Sequence, residues 1–383
     1  MNKALIQKFK KIFKSPPQII SSAPGRINII GEHTDYNQGY VLPAAINLRS
    51  YLLAAKTRGE EVVVFSENFN QQKSFALRNI IPSSSKNWIE YVKAIFWVLQ
   101  EKGIEVGGVK ALVASDIPLE AGLSSSAAFE VSLFFGLKGL FGFNLSEEKI
   151  AHLAQKAENE FVGVKCGLMD QYVSIFGQKE KALFLDCQNL QFRLIPFRLK
   201  KQGLSLVVYD SSRHRELASS FYNKRRQEAE LALKILNQAG LASYQEASLK
   251  TLEDLKSQMD ETLYKRARHV ISENERVRKA VEALEKDNFS LLGQLLFQSH
   301  QSLKDDYQVS CPELDLLYEK GREFPGCMGA RLTGAGFGGS GIALVKNNRL
   351  KAFKHILLQE VEKKNFPLPR FYSVEVGNGA RIG

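Results

Sequence analysis

Apolar positions along this chain follow two rhythms. Short runs that alternate or stay apolar predict strands at residues 50–55, 62–65 and 109–114, the last carried by Val109, Ala111 and Val113. Helical spacing predicts helices at residues 88–99, closed by Gly103, and at 129–140, where Phe129, Val131, Leu133, Phe134, Leu137 and Leu140 recur. Another helix starts at Ser146, an N-cap followed by Glu147 and Glu148. It runs to about residue 162, with Ile150, Leu153, Ala154, Ala157 and Phe161 on one face. Glu158 borders that face, as either a solvated helix charge or a group held at the edge of the core.

The second half mixes elements in the same way. Residues 182–185 and the very apolar 204–209 read as strands, and residues 245–305 as mostly helical. A strand at 342–345, a helix at 350–362 and a strand at 371–376 close the chain and predict a helix-backed sheet. No regular strand–helix–strand repetition and no internal repeat occur, so the fold class is α+β. A boundary near residue 195 divides the chain into domains 1–195 and 196–383, and 383 residues are enough for two or three cores.

Composition narrows the class. A 44% hydrophobic and 24% charged chain is an ordinary globular protein, and a net charge of +11 attracts anions without choosing among nucleotides, nucleic acid and acidic lipid. The densest basic segment, Lys3, Lys8, Lys10, Lys11 and Lys14, is interleaved with Leu5, Phe9, Ile12 and Phe13. That pattern predicts an amphipathic helix packed on the body, in preference to a membrane or nucleic-acid contact. The cysteines, Cys166, Cys187, Cys311 and Cys327, lack C-x-x-C spacing or a nearby histidine, which speaks against a disulfide framework or a zinc site. Without a signal-peptide core or the ~18 apolar residues that cross a bilayer, a soluble protein of the reducing cytoplasm is expected.

Four segments carry candidate chemistry. Residues 116–128, Asp-Ile-Pro-Leu-Glu-Ala-Gly-Leu-Ser-Ser-Ser-Ala-Ala, link a strand to a helix through small residues. That geometry turns backbone N–H groups and a helix dipole toward one point and suits a phosphate, although a serine-rich N-cap has the same sequence. Residues 21–39 crowd Arg26, Glu32, His33 and Asp35 between glycines. They are either a site for sugar hydroxyls and an anion, or a surface turn with Arg26 paired to Asp35. In residues 163–177, Asp170 stands among apolar neighbours, as either a catalytic acid or base or an anchor for the following helix. Residues 329–341 have G-x-G-x-G-G spacing but open a strand, which excludes a dinucleotide fingerprint.

Three of these segments resemble, in order, the galactokinase branch of the kinase superfamily that includes homoserine, mevalonate and phosphomevalonate kinases. Gly25-Arg26-Ile27-Asn28-Ile29-Ile30-Gly31-Glu32-His33-Thr34-Asp35-Tyr36-Asn37 is similar to the galactokinase signature, residues 118–128 to the ATP loop, and residues 329–339 to the C-terminal glycine loop. Residues 166–171 and 306–315 extend the likeness over most of the chain.

The resemblance implies a two-domain small-molecule kinase. Its N-terminal domain would be like ribosomal protein S5 domain 2 and its C-terminal domain a ferredoxin-like, helix-backed sheet, with ATP and sugar meeting between them. The implied reaction makes galactose 1-phosphate and ADP from α-D-galactose and ATP, with Mg²⁺. Glu32, His33, Thr34 and Asp35 would line the sugar site with Gly167, Asp170 and Tyr222. Ser66 would touch the nucleotide, and Glu120, Ala121, Gly122, Leu123, Ser124, Ser125 and Ser126 would wrap its phosphates. Ser126 and Glu158 would hold Mg²⁺. Arg26 and Asp170 would form the catalytic pair, Asp170 orienting or deprotonating the C1 hydroxyl and Arg26 stabilising both Asp170 and the transferring phosphoryl group.

The family usually has glycine where this chain has Glu120 and Gln38. Alternatives are a kinase for N-acetylgalactosamine or L-arabinose, or a catalytically silent sugar- and ATP-binding regulator. The expected partners are sugar and ATP, not nucleic acid or membrane, and a monomer is expected with a dimer left open.

Overall fold

Two long neighbouring strands organise the first half of the molecule. In this computed structural model, residues 2–83, 87–118, 121–213 and 218–383 are described. Helix α1 (Asn2–Phe13) precedes β1 (Ile19–Asn28), β2 (Tyr40–Val41), β3 (Pro43–Lys56), β4 (Glu61–Ser66) and β5 (Gln71–Ala76). Then come α2 (Trp88–Glu101), β6 (Val109–Ser115), α3 (Ser125–Phe141), α4 (Glu147–Lys156) and α5 (Met169–Phe176). Strands β7 (Lys181–Asp186), β8 (Phe192–Pro196) and β9 (Leu204–Asp210) lead into the second half. That half holds α6 (Ala218–Gln238), α7 (Leu249–Asp254), α8 (Glu261–Glu285), α9 (Phe289–Asp305) and α10 (Pro312–Glu323). It ends with β10 (Cys327–Thr333), β11 (Ser340–Lys346), α11 (Leu350–Lys363), β12 (Arg370–Val374) and β13 (Arg381–Ile382).

A six-stranded sheet runs in the order β13-β1-β3-β6-β4-β5, antiparallel except for the β4–β6 pair. Alternation along β3 explains its two covered faces. Leu52 and Ala54 join the core under α2 to α5, whereas Tyr51, Leu53 and Ala55 meet Leu5 and Phe9 of α1. The lysine-rich segment is therefore the expected helix packed on the body. A small sheet, β2-β7-β8, lies beside it.

The second sheet, β10-β11-β9-β12, is antiparallel throughout. Its central strand β9 is buried on both faces: Leu206 and Val208 pack with Val277 and Leu292 of α8 and α9, and Val207 and Tyr209 with Leu236 and Phe353 of α6 and α11. That burial accounts for its apolar run from Leu206 to Tyr209. The α+β architecture expected from the sequence is the one observed, and of the glycine-rich residues 329–341 the loop at 334–339 does open a strand, β11.

Two details differ from expectation. The helix begun at Ser146, whose Oγ accepts from Lys149 N at 3.3 Å, stops as an α-helix at Lys156 and continues as a π-helical turn, Ala157–Val162. After β12 the chain crosses back, and β13 pairs with β1, so its last residues complete the first sheet. Among the described residues, no helix is long and apolar enough to cross a membrane.

Candidate active site

A bulge in β1 aims the first functional side chain. The β1–β3 register slips between Pro24 and Arg26, and Arg26 N–H turns from the sheet to donate to Leu123 O at 3.1 Å. The Arg26 guanidinium then grips Asp170 with two parallel bonds of 2.8 Å, Nε to Oδ1 and Nη2 to Oδ2, and donates from Nη1 to Gly122 O at 2.7 Å. The turn with Arg26 paired to Asp35 does not form. Asp170 lies in the first turn of α5, where the helix dipole favours a negative charge, and its side chain is 24% exposed, open to the site.

The serine loop meets this pair from the other side. Ser124 adopts a left-handed conformation (φ +56°) at the start of α3 and makes no capping bond. Its hydroxyl donates instead to Asp170 Oδ2. The first-turn amides of α3 have no acceptor within the helix and face the same space, as a phosphate requires. Ala121 O accepts from Ser340 Oγ, which ties the loop to the second sheet. Glu120 lies outside the described residues.

Around the signature loop, polar groups are pinned in detail. Glu32 is buried and accepts from Asn28 Nδ2 (3.0 Å), Thr333 Oγ1 (3.0 Å) and Gly334 N (2.7 Å), with Arg331 Nη2 at 3.3 Å. His33, at φ +62°, contacts Ala335 O through Nε2 (3.2 Å) and Tyr36 OH through Nδ1 (2.7 Å). A carbonyl only accepts, so Nε2 carries the proton and Nδ1 accepts from the tyrosine. Burial and the neighbouring His269 lower His33 to about 3, which keeps it neutral. Thr34 Oγ1 lies within 2.8 Å of Gly31 O and 2.7 Å of Tyr40 O.

Asp35 packs directly on Gly167, where an added Cβ would fall 1.9 Å from Asp35 Oδ2. Glycine there lets the carboxylate approach the backbone. Burial first, then the charge of Asp170, raises Asp35 to about 7, although its side chain keeps partial access to solvent in the concave site. The Tyr222 ring stands 5.7 Å from His33 and 5.3 Å from Tyr36. The structure therefore gathers Arg26, Glu32, His33, Thr34, Asp35, Gly167, Asp170 and Tyr222 around one space beside the serine loop.

Glu158 sits in the π-helical turn, whose extra residue per turn re-aims side chains. Its carboxylate is buried beside Ser126 and accepts from Cys166 Sγ and Gln171 Nε2, each at 3.2 Å. It is not the solvated charge that local pattern allowed. Burial raises its pKa despite those donors. One carboxylate and one hydroxyl are hard oxygen donors that fit Mg²⁺, which usually takes its remaining ligands from phosphates and water. Ser66, at the end of β4, is buried. Nearby, the half-exposed Phe69 ring lies 7° from the plane of Trp88 at 6.4 Å, an aromatic face beside the β4 and β6 strand ends.

Several supporting residues escaped the sequence reading. Buried Arg331 donates to Asn28 O (3.1 Å) and Ile29 O (2.9 Å), Glu273 Oε1 accepts from Gly31 N (3.0 Å), and His269 Nε2 reaches Glu32 O (3.0 Å). The available signal was the spacing of α8: Arg266, His269 and Glu273 recur with Val270, Val277 and Ala280 on its apolar stripe. Charged residues at core positions of a helix mark partners elsewhere.

Three family models match the chain. A "Galactokinase galactose-binding signature" matches residues 7–56, "GHMP kinases N terminal domain" residues 90–178 and "GHMP kinases C terminal" residues 280–363. A galactokinase from Pyrococcus furiosus is 41% identical over 365 residues, covering 95% of this chain and 99% of its own length. A galactokinase from Thermotoga petrophila is 43% identical over 360 residues, covering 94% and 98%. The crystal structure of Lactococcus lactis galactokinase complexed with galactose superimposes with a TM-score of 0.95 at 38% identity, covering 99% of both chains.

Proposed function

Because the chain belongs to the galactokinase family of the GHMP kinases, we propose that it transfers the terminal phosphoryl group of ATP to the C1 hydroxyl of α-D-galactose. The observation that carries this reading is the Arg26–Asp170 pair in direct contact with Ser124 of the phosphate loop. A sugar hydroxyl resting on Asp170 is thereby aligned with a phosphate held at the start of α3.

In this reading Asp170 accepts the hydroxyl hydrogen bond and orients the oxygen for in-line attack. Arg26 holds Asp170 in place through its two parallel bonds and places positive charge beside the transferring group. Alignment and charge placement supply most of the acceleration, since a loose transition state needs little strong base. Asp35 and Glu32 accept sugar hydroxyls, Gly167 lets Asp35 approach, and neutral His33 and Tyr222 close the sugar's flank. Phe69 and Trp88 offer the base a stacking face, with Ser66 beside it. Ser126 and Glu158 would hold Mg²⁺, which would neutralise phosphate charge. Four free thiols support a reducing compartment, the cytoplasm.

The test is ADP release with a panel of sugars, with and without Mg²⁺. Turnover is expected with galactose and to exceed that with N-acetylgalactosamine or L-arabinose. Galactose binding without ADP release would overturn the assignment in favour of a silent sugar sensor.

A further inference from the structure

One carboxyl beside the site has no part in the chemistry above. Glu130 stands on α3 one turn beyond Ser126, is wholly buried, and neither of its carboxyl oxygens completes a hydrogen bond. Gln171 is equally buried. Its carboxamide lies within reach of Glu130, but Nε2 is directed at Glu158 Oε2 (3.2 Å) and Oε1 finds no donor. Three polar side chains thus stand in a row, with the Gln171 carboxamide between the carboxyls of Glu130 and Glu158.

We propose that Glu130 is a positioning residue for the metal ligand Glu158, acting through the Gln171 carboxamide between them. This rests on the reading of Glu158 as a ligand for the divalent ion. With a hydrogen on Glu130, its O–H donates to Gln171 Oε1 while Gln171 N–H donates to Glu158, and the atoms without partners are matched in one step. Both donors seen at Glu158, Gln171 Nε2 and Cys166 Sγ, fall on the same oxygen, Oε2, so the row fixes the rotation of the carboxylate. Glu130 itself does not touch the ion. A neutral acid also adds no repulsion to a neighbourhood that already holds Glu158 and Asp170.

Two substitutions separate positioning from ligation. Glu130→Gln keeps a donor toward Gln171 and removes the capacity for charge, whereas Glu130→Leu keeps the volume and removes the donor. The readout is Mn²⁺ affinity in the presence of ADP, followed by electron paramagnetic resonance, with KM for galactose measured alongside. Glu130→Leu is expected to weaken Mn²⁺ about tenfold with galactose KM within twofold of wild type, and Glu130→Gln to stay within twofold in both. Unchanged Mn²⁺ affinity in Glu130→Leu overturns the proposal. Equal losses in both variants overturn it as well, since the charge itself would then hold the ion.

If Glu130→Leu does not fold, Gln171→Met cuts the same row at its other bond. Unchanged Mn²⁺ affinity there is equally fatal. Glu158→Gln is the control for the underlying reading: if it binds Mn²⁺ normally, Glu158 is no ligand, whereas a loss there with normal Glu130→Leu defeats the positioning role alone.

Discussion

At single residues, backbone conformation and burial decide what the side-chain alphabet cannot. Gln38 occupies a left-handed conformation (φ +57°), with its carbonyl accepting from Gln245 Nε2 at 2.6 Å. Non-glycine residues are strained there by roughly 1 kcal/mol, partly offset because glycine loses more entropy on folding. The family's glycine at this position thus has a conformational cause, and Gln38 keeps the same path under strain. Gln38→Gly should stabilise the protein by about 0.5 kcal/mol, raising Tm by about 1–2 °C in a chain of this size. A thermal melt showing a lower Tm would refute the strain.

Asp35 offers a sharper test at the same scale. Its carboxyl sits near 7 when folded against an ordinary 3.8, facing Asp170, Glu32 and Arg26. Between those values the unfolded chain has released a proton that the folded protein keeps, so stability falls as pH rises from about 4 to 7. Asp35→Asn lacks that loss. Its Tm advantage over wild type should grow across the window and level off above pH 7, while its galactose affinity falls by tenfold or more. Parallel melts from pH 4 to 8 check the first expectation and calorimetry the second. The motif displayed Asp35 as a polar group, but the contact with Gly167 that shapes its environment joins residues remote in sequence.

Elements were legible wherever periodicity was strong. The helix from Ser146 was readable because its cap and apolar stripe are local, yet the change to π geometry at Ala157 has no marker in composition. Asn159 in the π turn accepts from Cys166 N at 2.8 Å and donates to Cys166 O at 3.4 Å, pinning the strand of loop that ends at Gly167. The serine run was legible as a phosphate loop or an N-cap, whereas the contact of Ser124 with Asp170, on which the proposed phosphate-loop role rests, was not. Asn159→Ala should free the Gly167 loop at a cost of about 1 kcal/mol. That should raise galactose KM several-fold and leave ATP KM nearly unchanged, and steady-state kinetics with each substrate varied in turn would show whether the loss falls on the sugar side.

For the whole molecule, the sugar loop and the glycine loop of the second sheet are one assembly. Glu32 is clamped by Thr333, Gly334 and Arg331, and His33 by Ala335, while Ser340 holds Ala121 of the phosphate loop. A two-domain α+β kinase could be read from the order of motifs, but not this clamp, because its partners are 299 to 302 positions apart for Glu32 and 219 for Ala121. The clamp uses three of the donors that a sugar hydroxyl would otherwise compete with, so it orients Glu32 before substrate arrives. Thr333→Val keeps the shape and removes the hydroxyl that lies 3.0 Å from Glu32 Oε1 and 3.2 Å from Asn28 O. A buried acceptor left short of a donor costs about 1–3 kcal/mol. Galactose affinity should therefore fall about 5-fold or more, and stability should drop by a similar free energy. Because Ser340 and the phosphate loop keep their own contact, ATP affinity measured without sugar should change less than twofold. Equal weakening of both substrates would mean that the two loops move as a single rigid unit, with no separate hold on the sugar side.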